Sequence, residues 1–214
     1  MVKFIEDKRI KQENVRAYDS YPALFEIKFG EYFERYGRKF VDNFSDLLPG
    51  GARVLSLGAG PGHAEKYMRE KGYEVTCIDN SVEMAELCKQ KGLSVRVMDM
   101  EKIDKKFEAD SFGGVWAHTS LLHLRKKSAP EMIKKIASVL KKKGLFALVL
   151  MGGEKEEYDH HPDYPRTKRW FSYFSDEEIA EFCRPFFNPI YAEREEAEGK
   201  RRNYVFLKYI LRKR

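Results

Sequence analysis

The sequence contains no long apolar run. The longest, Leu145 to Met151, falls far short of the roughly 20 helical residues that a bilayer demands. Met1 to Arg16 is studded with charge and has none of the apolar core of a signal peptide, so the expected location is cytoplasmic, with no membrane partner. Cysteine is scarce. Cys77, Cys88 and Cys183 form no C-x-x-C pair and read as buried thiols of a reducing compartment. The stretch Tyr158 to Tyr164 gathers residue types that bind metals but lacks a regular ligand spacing, so it reads as a polar lid and no metal is expected. Acids are missing from Gly199 to Arg214, where Lys or Arg stands at 200, 201, 202, 208, 212, 213 and 214. That segment accounts for the net charge of +6 and leaves the remainder close to neutral. A basic strand edge discourages edge-to-edge pairing, and nucleic acid is kept as an alternative partner. Internal repeats and low-complexity tracts are also missing.

What is present is a regular alternation. At 214 residues the chain is long enough for one well-cored α/β domain. Charged, aperiodic Met1 to Val15 predicts a mobile lead or a frayed helix. From Pro22, aromatic and apolar residues (Phe25, Phe29, Tyr32, Phe33, Tyr36, Phe40, Phe44, Leu47) recur at steps of three and four. They predict an amphipathic helix, or two broken near Gly30 or Gly37. Strands are then expected at 53–57, 74–78, 93–98, 112–116 and 145–151. The helices between them are stopped by Gly72, Gly92 and Gly144. Capping boxes are expected at Asn80/Glu83, Ser128/Glu131 and Ser175/Glu178. After an irregular polar loop (152–169) and one more helix, strands at 190–194 and 204–211 form a terminal hairpin around Gly199. Alternating strands and helices imply a parallel sheet covered on both faces.

The stretch Val54-Leu55-Ser56-Leu57-Gly58-Ala59-Gly60-Pro61-Gly62-His63 is a buried strand, a glycine turn and a helix start. Glycines let the backbone approach a ligand, and the free N–H groups of the helix's first turn favour its anionic part. The dinucleotide fingerprint G-x-G-x-x-G would need glycine or alanine at position 63, which is His63. Ligands of such sheets lie beyond the carboxyl ends of the strands. Asp79 stands there, 21 positions after Gly58, suited to accept hydrogen bonds from two ribose hydroxyls. Asp99 with the amide of Met100 matches an adenine edge, and this second acid disfavours an NAD enzyme.

The G-x-G-x-G turn, Ile78 to Met84, Val97 to Met100 and the segment S-F-G-G-V-W-A-H-T-S-L-L-H-L at 111–124 together resemble class I S-adenosylmethionine-dependent methyltransferases over roughly residues 50–152. The resemblance implies a three-layer Rossmann-like α/β sandwich. Its seven-stranded, mostly parallel sheet would end in an antiparallel hairpin behind an N-terminal helical lid. One domain is expected over 1–214, with a lid at 1–48, a cofactor-binding core at 52–151 and a substrate loop, helix and hairpin at 152–214. The resemblance implies S-adenosylmethionine as cofactor and S-adenosylhomocysteine as product. It places the cofactor at Gly58, Ala59, Gly60, Gly62, Asp79, Asn80, Met84, Asp99, Met100 and Ala117. His118 and His123 fall where the methyl group would point and are the candidate bases. Tyr18, Arg169 and Tyr173 are candidates for touching the acceptor.

Two departures stand out: Ser56 replaces the usual acid at the end of the first strand, and Gly113 replaces an aspartate. The D/N-P-P-Y/F motif and the Pro-Cys nucleophile of nucleic-acid and protein-glutamine methylation are both missing. The expected reaction is methyl transfer to O, N or S of a small molecule. The alternatives are an RNA acceptor or a protein that binds the cofactor without transferring.

Overall fold

The computed structural model describes residues 2–198 and 203–214. Its strands are Arg53–Leu57 (β1), Glu74–Asp79 (β2), Ser94–Val97 (β3), Phe112–His118 (β4), Leu140–Met151 (β5), Glu156–Asp159 (β6), Arg169–Ser172 (β7), Phe187–Ala197 (β8) and Tyr204–Lys213 (β9). Seven form one sheet in the order β3-β2-β1-β4-β5-β9-β8. The first five run parallel, and β9 and β8 add antiparallel at one edge. The α-helices are Val2–Ser20 (α1), Pro22–Tyr32 (α2), Arg38–Ser45 (α3), His63–Glu70 (α4), Val82–Gln90 (α5), Ile103–Lys106 (α6), Ala129–Val139 (α7) and Asp176–Cys183 (α8). This is the expected three-layer sandwich. Strand pleating divides the core: Val115 and Ala117 pack beneath α7 and α8, while Trp116 between them packs against Phe40 and Phe44 of α3.

Several local expectations change. Of the two forms expected at the N-terminus, a mobile lead or a frayed helix, the structure has a helix, 19 residues long. Ile10 and Ala17 are buried, and the face that α1 turns to the protein is largely polar, so no apolar stripe announces it. The aromatic stretch takes the continuous one of its two expected forms, with a π-helical turn at Phe33–Gly37. Gly37 permits that turn, because a Cβ there would lie 2.9 Å from the Phe33 ring. Ser81, not Asn80, caps α5, its Oγ accepting from the Met84 amide at 3.0 Å. Ser128 makes no capping bond because its backbone is already helical (φ −91°, ψ −13°), whereas the Ser175/Glu178 box is complete. Gly144 does not stop a helix. The chain enters β5 at Leu140, paired with Phe112, and a register shift follows before Gly114 meets Leu145. The loop expected over 152–169 is ordered in part, because β6 pairs antiparallel with β7. The hairpin turn around Gly199, with Lys200, Arg201 and Arg202, lies outside the described residues.

Gly62 closes the glycine turn at φ 83°, with its Cα against β3 and α5. A Cβ would stand 2.6 Å from Leu93 and 2.9 Å from the Cys88 sulfur. Gly72 has φ 92° and nothing within 4 Å. Gly72→Ala is therefore expected to cost only the left-handed strain, about 1–2 kcal/mol. Gly62→Ala should cost about 1–3 kcal/mol more through overpacking. Urea unfolding of the two variants measures the difference, and equal losses would show that the α5 contact yields freely.

Candidate active site

A cavity opens beyond the carboxyl ends of β1, β2 and β4, beneath α1 and α2. Its floor is the glycine turn, tied to the end of β2 by the Gly58 and Ala59 amides, which donate to the Ile78 carbonyl at 2.9 and 3.1 Å. Gly58 must lack a side chain, since a Cβ would press within 2.7 Å of Ser120. Asp79 completes the brace. Its Oδ2 accepts from the Gly60 amide at 2.8 Å and its Oδ1 from the Ser81 amide at 2.9 Å. Burial raises its pKa against those bonds. A carboxylate has about four lone-pair sites, so Asp79 keeps acceptor capacity for a ligand. Asn80, Met84, Met98, Asp99 and Met100 continue the same wall. Asp99 caps the turn that follows β3 through the Glu101 amide (3.0 Å) and meets the Lys11 ammonium at 2.7 Å. Lys11 also bonds the Glu101 carboxylate.

At the far end of β4 the wall becomes aromatic. His118 stacks on Trp116 (5.6 Å, 20°) and meets the edge of Tyr32 at 5.5 Å. Among the described residues, three buried polar atoms here lack a hydrogen-bond partner: His118 Nε2, the Tyr32 hydroxyl and Ser120 Oγ. All three residues line the cavity. Each such orphan costs about 1–3 kcal/mol. Thr119, between His118 and Ser120, takes φ 51°, a strained conformation for a β-branched residue. Burial, and then the charge of Lys208, lowers the His118 pKa to about 3. Lys208 is itself buried, paired with Glu195 at 2.8 Å and donating to the Tyr36 carbonyl at 3.1 Å.

His123 is placed differently. Its Nδ1 lies 2.7 Å from the Trp170 carbonyl, which only accepts, so Nδ1 carries the proton and Nε2 accepts from the Tyr18 hydroxyl at 2.7 Å. Both nitrogens are engaged. Burial pushes its pKa down to about 4 against the opposing bond to Trp170. Asn14, one turn before Tyr18, accepts from the Trp170 amide at 2.7 Å. At the end of α1, Asp19 accepts from the Ser81 hydroxyl at 2.5 Å. The first helix is thus bonded to three walls of the cavity.

Of the residues expected at the site, Gly58, Ala59, Gly60, Asp79, Asn80, Met84, Asp99, Met100, His118, His123 and Tyr18 line the cavity. Gly62, Ala117, Arg169 and Tyr173 are not among the lining residues. Gly62 faces Cys88 and Leu93. Ala117 points to the opposite sheet face from Trp116 and His118. The Arg169 guanidinium sits behind Tyr18, 3.5 Å from its hydroxyl and within 5.0–5.7 Å of the Tyr18, Phe25, Tyr164 and Phe171 rings. Tyr173 lies in the core under α7 and α8. Sequence reasoning missed Lys11, Asn14, Tyr32 and Glu65. The spacing of Lys11, Asn14 and Tyr18 puts them on one helix face, a signal invisible to a search for apolar periodicity.

Both imidazoles stay neutral in the fold at pH values where unfolded histidines, near 6.5, take up protons. Their contribution to stability is present above about pH 6.5 and is lost as the pH falls toward 4 and 3. Between pH 6.5 and 4 the wild type should therefore lose stability more steeply than His118→Gln. The difference is at most about 1.4 kcal/mol per pH unit. Urea titrations across that range read the two slopes, and equal slopes would mean that His118 ionises freely in the fold.

Residues 54–144 match the family model described as a methyltransferase domain. A sarcosine/dimethylglycine N-methyltransferase of Aphanothece halophytica is 35% identical over 82 residues, covering 35% of this chain and 30% of that protein. The S-adenosyl-L-methionine-dependent Diels-Alderase iccD of Talaromyces variabilis is 34% identical over 111 residues, covering 48% of this chain and 37% of the other. The chain therefore spans well under half the length of the curated relatives it matches. The 1,6-didemethyltoxoflavin-N1-methyltransferase of Burkholderia thailandensis, solved with 1,6-didemethyltoxoflavin and S-adenosylhomocysteine, shares the fold. Its TM-score is 0.63 at 21% identity, over 91% of this chain and 89% of that one. With the strand order and the glycine turn, these likenesses show a methyltransferase domain over residues 54–144, in a sandwich that shares the fold of the solved methyltransferase.

Proposed function

We propose that the chain, read as one domain, is a cytoplasmic S-adenosylmethionine-dependent methyltransferase acting on O, N or S of a small molecule. The observation that carries this reading is a single cavity joining the braced Asp79 carboxylate to the unpartnered His118 Nε2 and Tyr32 hydroxyl. The lining residues fit the cofactor: a glycine turn that admits close approach, a carboxylate for ribose hydroxyls, and Asp99 with Met100 for adenine. When bound, the cofactor supplies an electrophilic methyl group, so alignment and exclusion of water are most of what the protein contributes. The α1 and α2 helices cover the cavity, and Tyr18, Phe29, Tyr32, Phe33 and Trp116 line it with rings. His118 Nε2 receives the acceptor's proton. Burial holds the imidazole neutral, so its Nε2 is free to act as a base. Tyr18 lines the cavity, its hydroxyl oriented by His123, and Arg169 packs behind it. No helix among the described residues is long and apolar enough to cross a membrane.

Calorimetry with S-adenosylhomocysteine and NAD tests the cofactor. The first is expected to bind and the second not, and tight NAD binding without S-adenosylhomocysteine heat would sink the reading. Asp79→Ala should weaken S-adenosylhomocysteine at least tenfold, because each charge-assisted bond is worth about 1.5–3 kcal/mol.

A second reading, cofactor binding without methyl transfer, draws on the likeness to a protein named as a Diels-Alderase. Methyl-labelled S-adenosylmethionine separates the possibilities. Label in a dialysed small-metabolite fraction is the expected result, and His118→Ala should lower its rate without changing S-adenosylhomocysteine affinity. Label in total tRNA, with steeply salt-dependent binding, would promote the RNA alternative. Label in neither would favour the reading without transfer.

A further inference from the structure

Glu65 is a buried acid in the cavity wall, with no cation paired to it among the described residues. It stands in the first turn of α4 at 3% exposure and lines the cavity beside the glycine turn. Its Oε1 accepts the Ser56 hydroxyl proton at 2.6 Å. Among the described residues it makes no ion pair. Lys91, the cation whose charge reaches it, gives its ammonium to both oxygens of Glu26 at 2.8 and 2.9 Å. Asp79 adds a like charge from β2. Burial, against the Ser56 bond and with the help of Asp79, pushes the Glu65 carboxyl up to about 7. A buried carboxylate whose donors are the Ser56 hydroxyl and its own backbone amide, with no cation beside it among the described residues, is costly in the empty fold. It is relieved by a cation that brings its own N–H donors into the cavity.

Ser56 is the complementary observation. It is fully buried at the end of β1, where the resemblance leads one to expect an acid, and its side chain turns to Glu65 instead of lining the cavity. An aspartate at 56 would set a second carboxylate against Glu65, and two carboxylates in contact cannot both ionise. Serine at 56 and glutamate at 65 therefore belong together.

Resting on the cofactor reading above, we propose that Glu65, steadied by the Ser56 hydroxyl, binds the α-ammonium group of the cofactor's methionine portion. The negative charge that β1 lacks is supplied from α4. It is a binding role that leaves the sulfonium and the acceptor untouched.

The experiment is a calorimetric cycle using S-adenosylhomocysteine and its analogue lacking the α-amino group, with wild type and Glu65→Gln. The variant is expected to lose at least tenfold affinity for S-adenosylhomocysteine and to match wild type on the deaminated analogue. An unchanged affinity for S-adenosylhomocysteine, or an equal loss on both ligands, would overturn the assignment, the latter by showing a merely structural role. If wild type binds neither ligand, the cofactor reading itself has failed, a result distinct from either of those. Should Glu65→Gln not fold by circular dichroism, Ser56→Ala takes its place. A smaller loss confined to the ligand with the amino group supports the proposal, and a loss on both or on neither overturns it.

Discussion

The site depends on a short brace between one carboxylate and the backbone around it. Asp79 ends β2 and holds the Gly60 amide on one oxygen and the Ser81 amide on the other. It thereby fixes the glycine turn after β1 and the start of α5 in one frame. The turn in turn sets the entry of α4, and with it the position of Glu65. The left-handed glycines are costly to order, and this brace, with the two amides bonded to Ile78, is what holds them in place. Asp79 therefore serves the empty protein before any ligand arrives. Its raised pKa records the cost of that service in desolvation.

The polar first helix is the second organising element. Lys11, Asn14, Tyr18 and Asp19 bond respectively to the end of β3, the start of β7, His123 and the cap of α5. Charge and hydrogen bonding, more than apolar burial, seat it. The aromatic α2 is seated conventionally, with Phe25 stacked on Tyr164 from the ordered loop between β6 and β7. The two together cover a cavity whose end at β4 carries buried polar atoms with no hydrogen-bond partner among the described residues.

The core was legible because apolar runs, glycine stops and strand spacing all point the same way there. β1 begins and ends as its apolar pattern predicts, the alternation predicts the parallel strands, and the seven-stranded sheet is the one the resemblance implies. Legibility failed where tertiary partners overrule local pattern. Residues 2–20 look aperiodic because their partners are polar groups far along the chain. Gly144 looked like a helix stop, but pairing of Leu140 with Phe112 draws the strand back several residues. The acids after β2 and β3 could be located from the strand ends, while Glu65 could not. Its importance arises from Ser56, nine residues earlier, and only the fold brings the two into contact. His123 was visible as a residue type but not as a group whose two nitrogens are already committed.

The seating of α1 has a kinetic consequence. Affinity for a ligand in this cavity is a ratio of rates, and a cover latched at several separate points slows entry and departure together. Removing a single latch, such as the Asp19–Ser81 bond, shortens a ligand's residence time while leaving its contacts with Asp79 intact. Under the proposed reading, the hold of the N-terminal helix is a lever on cofactor exchange that can be altered separately from the methyl-transfer step.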